Sequence, residues 1–289
     1  MKTCHHIFIL LSLAIGCFAA DQAYSQSPAA DSSFHPFKMN RWISGTIGGA
    51  GLISDYFLVP MILDKENLTD AELQGLNKNV YLNSFDHWAL QQDPSKRNTF
   101  KAYSDYTSTT IYGLPFFLAF DRSIRRDWID MLFLYLETQS IAFSIYNLSF
   151  MGPIFQNKYR PIVYYDELPY NQRSSGNNRN SFYSGHVSSS TAATFFMAKV
   201  YSDFHPDLGW KKYLLYGAAS VPPLIVGYLR VKSLDHFPTD VGVGFMVGAL
   251  CGVLVPEIHR LKNKAISIGT FSSPEGSSGI CLQWRPSFK

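Results

Sequence analysis

Three short segments combine arginine, histidine, serine and aspartate side chains in a regular order. They are NKYRP at 157–161, SFYSGH at 181–186 and GYLRVKSLDHFPTDVGVG at 227–244. Arginine guanidinium groups are planar forks that match phosphate oxygens, which a lysine point charge does not replicate. A histidine imidazole can act as a nucleophile or as a proton donor. These residue types therefore indicate chemistry at a phosphoryl group.

The second segment, SFYSGH, opens an apolar helix, which is a favourable place for a bound anion. Unsatisfied backbone N–H groups and the helix dipole both attract negative charge there. Gly185 would let the anion approach the backbone closely, and Ser184 would donate its hydroxyl. Arg160 and Arg230 would hold the remaining oxygens. We expect these four residues to form one phosphate-binding pocket.

The third segment supplies the group that would react. His236 and Asp240 are four residues apart, and Pro238 suits the first turn of a helix, so the two side chains share a face. We expect Asp240 to accept a hydrogen bond from one ring nitrogen of His236, which leaves the other nitrogen free as a nucleophile. His186 would then protonate the leaving oxygen as the general acid.

Six apolar segments must position these motifs, and they predict an all-α bundle. They lie at roughly 42–63, 107–120, 128–151, 187–201, 213–229 and 239–255. If the helices alternate in direction, the end of the third, the start of the fourth and the link from the fifth to the sixth lie on one side. The motifs then converge. Several segments approach the ~20 apolar residues of a membrane span, so we interpret the bundle as transmembrane, with a soluble all-helical core as the alternative.

The first 25 residues are typical of an export signal. Lys2 precedes an apolar stretch, and Ala23 and Ser25 suit cleavage after Ser25. A lipoprotein signal that ends at Cys17 and an uncleaved anchor are the alternatives. In each case the chain leaves the cytoplasm or enters its membrane.

The rest of the chain divides into three parts. Residues 26–40 predict a linker, 41–260 the helical domain, and 261–289 a tail in which a short β-hairpin flanks the turn-like SSPEGSSG.

Composition limits the classes of partner. The net charge of +3 is too small to argue for nucleic acid, and no basic run supports that interpretation. Charged residues make up 16% of the chain, below the roughly 25% of soluble domains. The 4 cysteines are dispersed and predict neither a disulfide framework nor a metal site. We therefore expect no cofactor, no metal and no nucleic-acid partner.

Charge placement predicts an orientation. Short basic loops at 121–127, 211–212 and 259–264 fall on the side opposite the motifs, and such loops face the cytoplasm. This places the motifs at the periplasmic face of a bacterial-type inner membrane. A cleaved export signal would reverse this orientation if the first segment spans the membrane.

The three motifs resemble those of the type 2 phosphatidic acid phosphatases, a family that shares a helical core with vanadium haloperoxidases. The family pattern is Lys-x6-Arg-Pro, then Pro-Ser-Gly-His, then Ser-Arg-x5-His-x3-Asp. The matching positions in this sequence are Arg160 and Pro161, then Ser184, Gly185 and His186, then Arg230, His236 and Asp240.

The resemblance implies a six-helix membrane phosphatase that acts on a lipid phosphomonoester or pyrophosphate through a phosphohistidine, without metal. In that scheme His236 attacks, Asp240 orients it, His186 donates the proton, and the other matched residues hold phosphate. The family lysine would fall at Pro153, so one cation is missing. Lys158 is the candidate that could reach the same oxygens.

Two other functions remain open from the sequence. The missing lysine is consistent with a catalytically weakened relative that binds or transports lipid phosphates. The shared pocket chemistry is also consistent with a vanadate-dependent peroxidase.

Overall fold

The computed structural model describes residues 35–80, 82–260, 266–272 and 278–284. The signal or anchor predicted over residues 1–25 lies outside these ranges, as does most of the predicted linker. The described residues belong to one unit, His35–Lys289. The domain boundaries predicted from the sequence stay predictions.

Six helices of 17 or more residues lie in the described part of the chain. They are α1 (Arg41–Leu63), α2 (Arg97–Gly113), α3 (Trp128–Leu148), α4 (Gly185–Phe204), α5 (Lys212–Lys232) and α6 (Pro238–Ile258). Shorter α-helical turns lie at Asp70–Leu73, Ser84–His87 and Tyr170–Arg173. Short 3-10 helices lie at Trp88–Gln91, Pro94–Lys96, Leu114–Phe120, Arg125–Asp127, Pro161–Tyr164, Gly176–Arg179 and Pro206–Lys211.

Two strands follow the helices. They are β1 (Ile266–Ser272) and β2 (Ser278–Trp284), which pair antiparallel with Ile266 opposite Trp284 and Ser272 opposite Ser278.

The long helices alternate in direction, which brings six helix ends together on each side. At one side, the N–H of Lys38 before α1 donates to the carbonyl of His259 after α6. On the same side, Asp121 before α3 contacts His205 after α4 at 3.1 Å. The starts of α2, α4 and α6 and the ends of α3 and α5 therefore lie at the other side, where the three motifs meet.

Helices α4 and α6 pack backbone against backbone because glycines line the contact. A Cβ on Gly248 would lie 2.1 Å from the Ser188 carbonyl oxygen, and one on Gly244 would lie 2.6 Å from the Ser184 carbonyl oxygen. Small residues permit this close approach of helices. The first turn of α6 is thereby held against the start of α4.

Two apolar clusters surround this contact. The larger lies between the long helices and includes Leu134, Val187 and Phe196. The second lies beneath the loops at the motif side and includes Leu90 and Phe237. The loops that follow α1 and α3 are therefore packed onto the bundle end and hold their side chains in defined positions.

Three helical segments are long and apolar enough to cross a membrane: Arg41–Leu63, Pro206–Lys232 and Pro238–Ile258. Their outward faces carry exposed apolar side chains such as Phe57, Leu224 and Leu254. The predicted mostly helical membrane protein is confirmed in this form. The prediction that six helices span the membrane stays a prediction.

Helix α2 starts well before the predicted second segment. We expected an apolar helix over 107–120, whereas the structure begins α2 at Arg97 and continues as a 3-10 helix over Leu114–Phe120. The first half of α2, RNTFKAYSDY, is polar, so a search for apolar runs does not detect it. Pro115 lacks a backbone N–H and marks the change to the tighter helix.

Candidate active site

The carboxylate of Asp235 gathers four cations at the motif side of the bundle. Asp235 follows α5 and is fully buried. Its Oδ1 lies 3.2 Å from Nη1 of Arg160 and 3.5 Å from Nη2 of Arg97. Its Oδ2 lies 3.1 Å from Nη1 of Arg230 and 3.6 Å from Nζ of Lys101. Burial alone would raise the pKa of Asp235, but these positive charges outweigh burial and hold it well below its usual range.

Arg160 reaches this cluster from the loop after α3. Its backbone N–H donates to the Asn178 carbonyl at 2.8 Å. Its side-chain Nε donates to the Asn180 carbonyl at 3.4 Å. Pro161 begins a short 3-10 turn in the second apolar cluster. The loop backbone therefore fixes the direction of the guanidinium.

Arg230 lies in the last turn of α5 and connects the cluster to His186. It is 3% exposed, and its Nη2 lies 2.7 Å from Nδ1 and 2.8 Å from Nε2 of His186. Asp105 of α2 is 3.1 Å from Nη1 of Arg230 and 3.4 Å from Nε2 of His186. Burial and then the charge of Arg230 lower the pKa of His186 to about 4, while Asp105 opposes that shift. Asp105 therefore favours the protonated imidazole.

His236 is neutral and has a defined tautomer. It is 2% exposed, and burial, followed by the charges of Arg160 and Arg230, lowers its pKa well below the ordinary value. Its Nδ1 lies 2.6 Å from the Ser181 carbonyl oxygen. A carbonyl oxygen only accepts, so Nδ1 carries the proton and Nε2 keeps its lone pair. A neutral imidazole in this state can attack an electrophile.

Asp240 has different partners from the one we predicted. Its Oδ2 accepts from the Ser181 hydroxyl at 2.6 Å and from the Phe237 N–H at 2.9 Å, rather than from the ring of His236. Asp240 lies in the first turn of α6, where a carboxylate satisfies an N–H that has no partner inside the helix. Its effect on His236 is therefore indirect and passes through Ser181, whose carbonyl holds the imidazole.

Lys158 also lies apart from the four cations. Its Nζ pairs with Oδ1 of Asp240 at 2.6 Å and lies 3.4 Å from Oγ1 of Thr239. Lys158 is therefore paired with Asp240 rather than with Asp235. That it takes the place of the missing family lysine stays a prediction.

Sequence reasoning missed Arg97 and Lys101, which come from α2. With Asp105 they stand four residues apart in succession, so the three share one helix face. This repeat is the pattern that could have revealed them.

The start of α4 contributes Ser184 and Gly185. The N–H of Ser184 donates to the Asp240 carbonyl at 3.1 Å, which ties α4 to α6. Its hydroxyl is buried and has no hydrogen-bond partner among the described residues. A Cβ on Gly185 would lie 3.1 Å from the ring of Tyr146. A larger residue there would require that ring of α3 to shift by a few tenths of an ångström. The approach of an anion to Gly185 stays a prediction.

Comparison with known proteins agrees with the motifs. Residues 131–264 match the PAP2 superfamily, and this range includes Arg160, His186 and Asp240. The segment that carries the three motifs therefore belongs to the PAP2 superfamily, as the resemblance predicted.

Among solved structures, the chain is similar to one described as the crystal structure of the first transmembrane PAP2 type phosphatidylglycerolphosphate phosphatase from Bacillus subtilis. The two are 21% identical, the match covers 73% of this chain and 94% of that chain, and the TM-score is 0.39. No curated protein matches this chain.

Proposed function

We propose that the protein is a membrane phosphatase that hydrolyses a phosphomonoester or pyrophosphate on a lipid. The observation that carries this proposal concerns His236, whose Nε2 has no hydrogen-bond partner among the described residues. Its ring interacts electrostatically with Arg160 and Arg230, the two guanidinium groups that meet at Asp235. Arginine forks bind phosphate oxygens, and a neutral imidazole is a competent acceptor of a phosphoryl group. Membership of the PAP2 superfamily supports the same reaction class.

In the first step, the lone pair on Nε2 of His236 forms a bond to phosphorus and the bond from phosphorus to the leaving oxygen breaks. His186 transfers its proton to that oxygen, and Arg160 and Arg230 bind the charged equatorial oxygens. The product is a phosphohistidine on His236. The proton on Nδ1 stays shared with the Ser181 carbonyl.

In the second step, water attacks the phosphohistidine. The neutral His186 accepts a proton from that water, the N–P bond breaks, and inorganic phosphate leaves. Ser184 is placed to donate its unpartnered hydroxyl to a phosphate oxygen in both steps. Asp240 positions Ser181 and thus the nucleophile.

A lipid substrate is supported by the three candidate spans and their exposed apolar faces. The site lies where α3 and α5 end and α4 and α6 begin. The basic residues of 121–127 lie at the opposite ends, and the preference of such loops for the cytoplasm would place the site at the periplasmic face of an inner membrane.

The test is phosphate release from a panel of polyprenyl pyrophosphate, phosphatidylglycerol phosphate, phosphatidic acid and phosphorylated lipid A. Purified wild-type protein should release phosphate from at least one, and His236→Ala should release none. Rapidly quenched protein should carry phosphate that resists alkali and is lost in acid, as a phosphoramidate does. A wild type that is inactive on every lipid and indistinguishable from His236→Ala would overturn the proposal.

A further inference from the structure

We propose that Arg97 and Lys101 of helix α2 are additional phosphate-binding residues of this site. Both lie outside residues 131–264, which match the superfamily. The inference rests on the proposed function for the nature of the substrate, but phosphate binding by the two side chains can be measured without turnover.

The net charge of the site supports this assignment. Arg97, Lys101, Arg160 and Arg230 face the two carboxylates of Asp105 and Asp235. Without the two α2 cations, the remaining two arginines would be balanced by the two carboxylates. The positive excess of the site therefore depends on Arg97 and Lys101, although Asp105 of the same helix offsets one of the two charges. A phosphate monoester carries close to two negative charges at neutral pH, which is the charge that this excess would compensate.

Geometry is the second argument. Charge-assisted N–H to oxygen bonds are usually ~2.7–2.9 Å long, whereas Arg97 and Lys101 stand 3.5 and 3.6 Å from Asp235. Both cations are therefore close to the Asp235 carboxylate but form no short hydrogen bond with it. Nε of Arg97 and Nε of Arg230 are buried and have no hydrogen-bond partner within the described ranges. Unused buried donors are costly, and phosphate oxygens would satisfy them.

The crowding of like charge at Lys101 is consistent with this assignment. Burial lowers the pKa of Lys101, and Arg230 and Arg160 lower it further against the opposing Asp235 and Asp105. A bound phosphate would relieve the repulsion among these cations. Its binding should therefore be coupled to the charge on Lys101.

The same assignment accounts for the absent family lysine. Pro153 occupies that position, and Lys158 is engaged by Asp240. Helix α2 brings two cations to Asp235 in place of that one. The site then does not lack positive charge, so the missing lysine no longer argues for a weakened, non-catalytic relative.

The experiment compares full-length wild type with Arg97→Gln and Lys101→Gln in detergent, with inorganic phosphate and orthovanadate as the probes. Lys96→Gln is the matched control, because it removes a neighbouring charge from a side chain that is 67% exposed. We expect each site variant to weaken binding of both anions about 10-fold, the usual worth of one hydrogen bond to a charged group. We expect the control to bind as wild type does. Binding by both site variants equal to that of the control would overturn the inference.

A second measurement uses the unmodified chain and so does not depend on the folding of a variant. Lys101 is 38% exposed at its side chain, so an amine-reactive acylating reagent can reach it. Saturating phosphate should slow acylation of Lys101 and leave that of Lys96 unchanged, as followed by mass spectrometry. Equal acylation with and without phosphate would contradict the inference.

The two proposals fail in different ways. Wild-type protein that binds phosphate through α2 but hydrolyses no lipid would overturn only the proposed function. Protein that hydrolyses lipid phosphate, with both α2 variants unchanged in anion binding, would overturn only the present inference.

Discussion

Helix α4 has a partly buried ionic cluster at each end, and the two clusters differ in charge balance. At its C-terminal end, Lys199 lies 2.5 Å from Asp203 and also pairs with Glu257. Arg260 lies 3.3 Å from Asp203 and 3.5 Å from Glu257. Two cations therefore meet two carboxylates. None of these four side chains has a buried polar atom without a hydrogen-bond partner in the described part of the chain.

At its N-terminal end, four cations meet two carboxylates, and buried donors remain unused on Arg97, Arg230 and Ser184. Burial of charge is common to both clusters, so burial alone does not identify a site. An excess of positive charge together with unused hydrogen-bond donors does indicate a binding site. Such a partly buried cluster is stabilised when a further anion binds to it.

The largest expected effect separates the two clusters by activity. Arg230→Gln removes a guanidinium that contacts both His186 and Asp235, and we expect kcat/KM to fall roughly 10³-fold, as for loss of one preorganised charge at a reacting group. Arg260→Gln removes the same group at the balanced end and should leave kcat/KM unchanged. Steady-state kinetics on the preferred lipid phosphate measures both. Equal losses in the two variants would remove the functional distinction between the clusters.

The second-largest expected effect distinguishes the two ionic clusters by their contribution to stability. Lys199→Met leaves Asp203 and Glu257 without their shared ammonium, and we expect the free energy of unfolding to fall by ~3 kcal/mol, as when one partner of a buried ion pair is removed. Thermal denaturation in detergent measures the loss. The kcat of the folded fraction should remain that of wild type. A large fall in kcat without a change in stability would show that the cluster at the C-terminal end of α4 takes part in catalysis, which would contradict the proposed position of the site.

A smaller effect concerns the pH profile. Burial and then the charge of Arg230 lower the pKa of His186, Asp105 opposes this shift, and the resulting pKa is about 4. Asp105→Asn should therefore lower that pKa further, so His186 loses its proton at lower pH. The fall in kcat/KM on the alkaline side should then begin at lower pH than in wild type. The control is Asp93→Asn, which changes a side chain that is 50% exposed. A shift toward higher pH would contradict the role of Asp105.

The smallest effect is expected at the position of the absent family lysine. Pro153 is buried, and its carbonyl oxygen accepts a hydrogen bond from Lys65. Since α2 already supplies cations, Pro153→Lys should not increase kcat/KM by more than about twofold, less than the usual worth of a charge at the reacting group. A large gain in turnover would show that the site does lack a cation and that α2 does not provide it.

The sequence predicted much of this arrangement because the motifs are local and helices that alternate must bring them together. Arg160, His186 and Arg230 occur in short patterns at helix ends, and the structure joins them through Asp235. The role of Asp235 could not be predicted from its position next to His236. Only the structure of the segment between α5 and α6 shows that its carboxylate contacts the arginines.

Other features were missed for identifiable physical reasons. The start of α2 was missed because its first turns are polar, so Arg97 and Lys101 fell outside the apolar segment predicted at 107–120. The partner of Asp240 was predicted from helical spacing alone. Spacing places Asp240 near His236 but does not reveal that the carboxylate caps the Phe237 N–H and that Ser181 stands between the two.

The most direct test of the central claim is an experimental structure of the protein with orthovanadate, which mimics a phosphoryl group during transfer. We expect vanadium bonded to Nε2 of His236, with its oxygens in hydrogen-bond contact with Arg160 and Arg230. Vanadate bound elsewhere, or bound among the arginines with His236 turned away from it, would contradict the account.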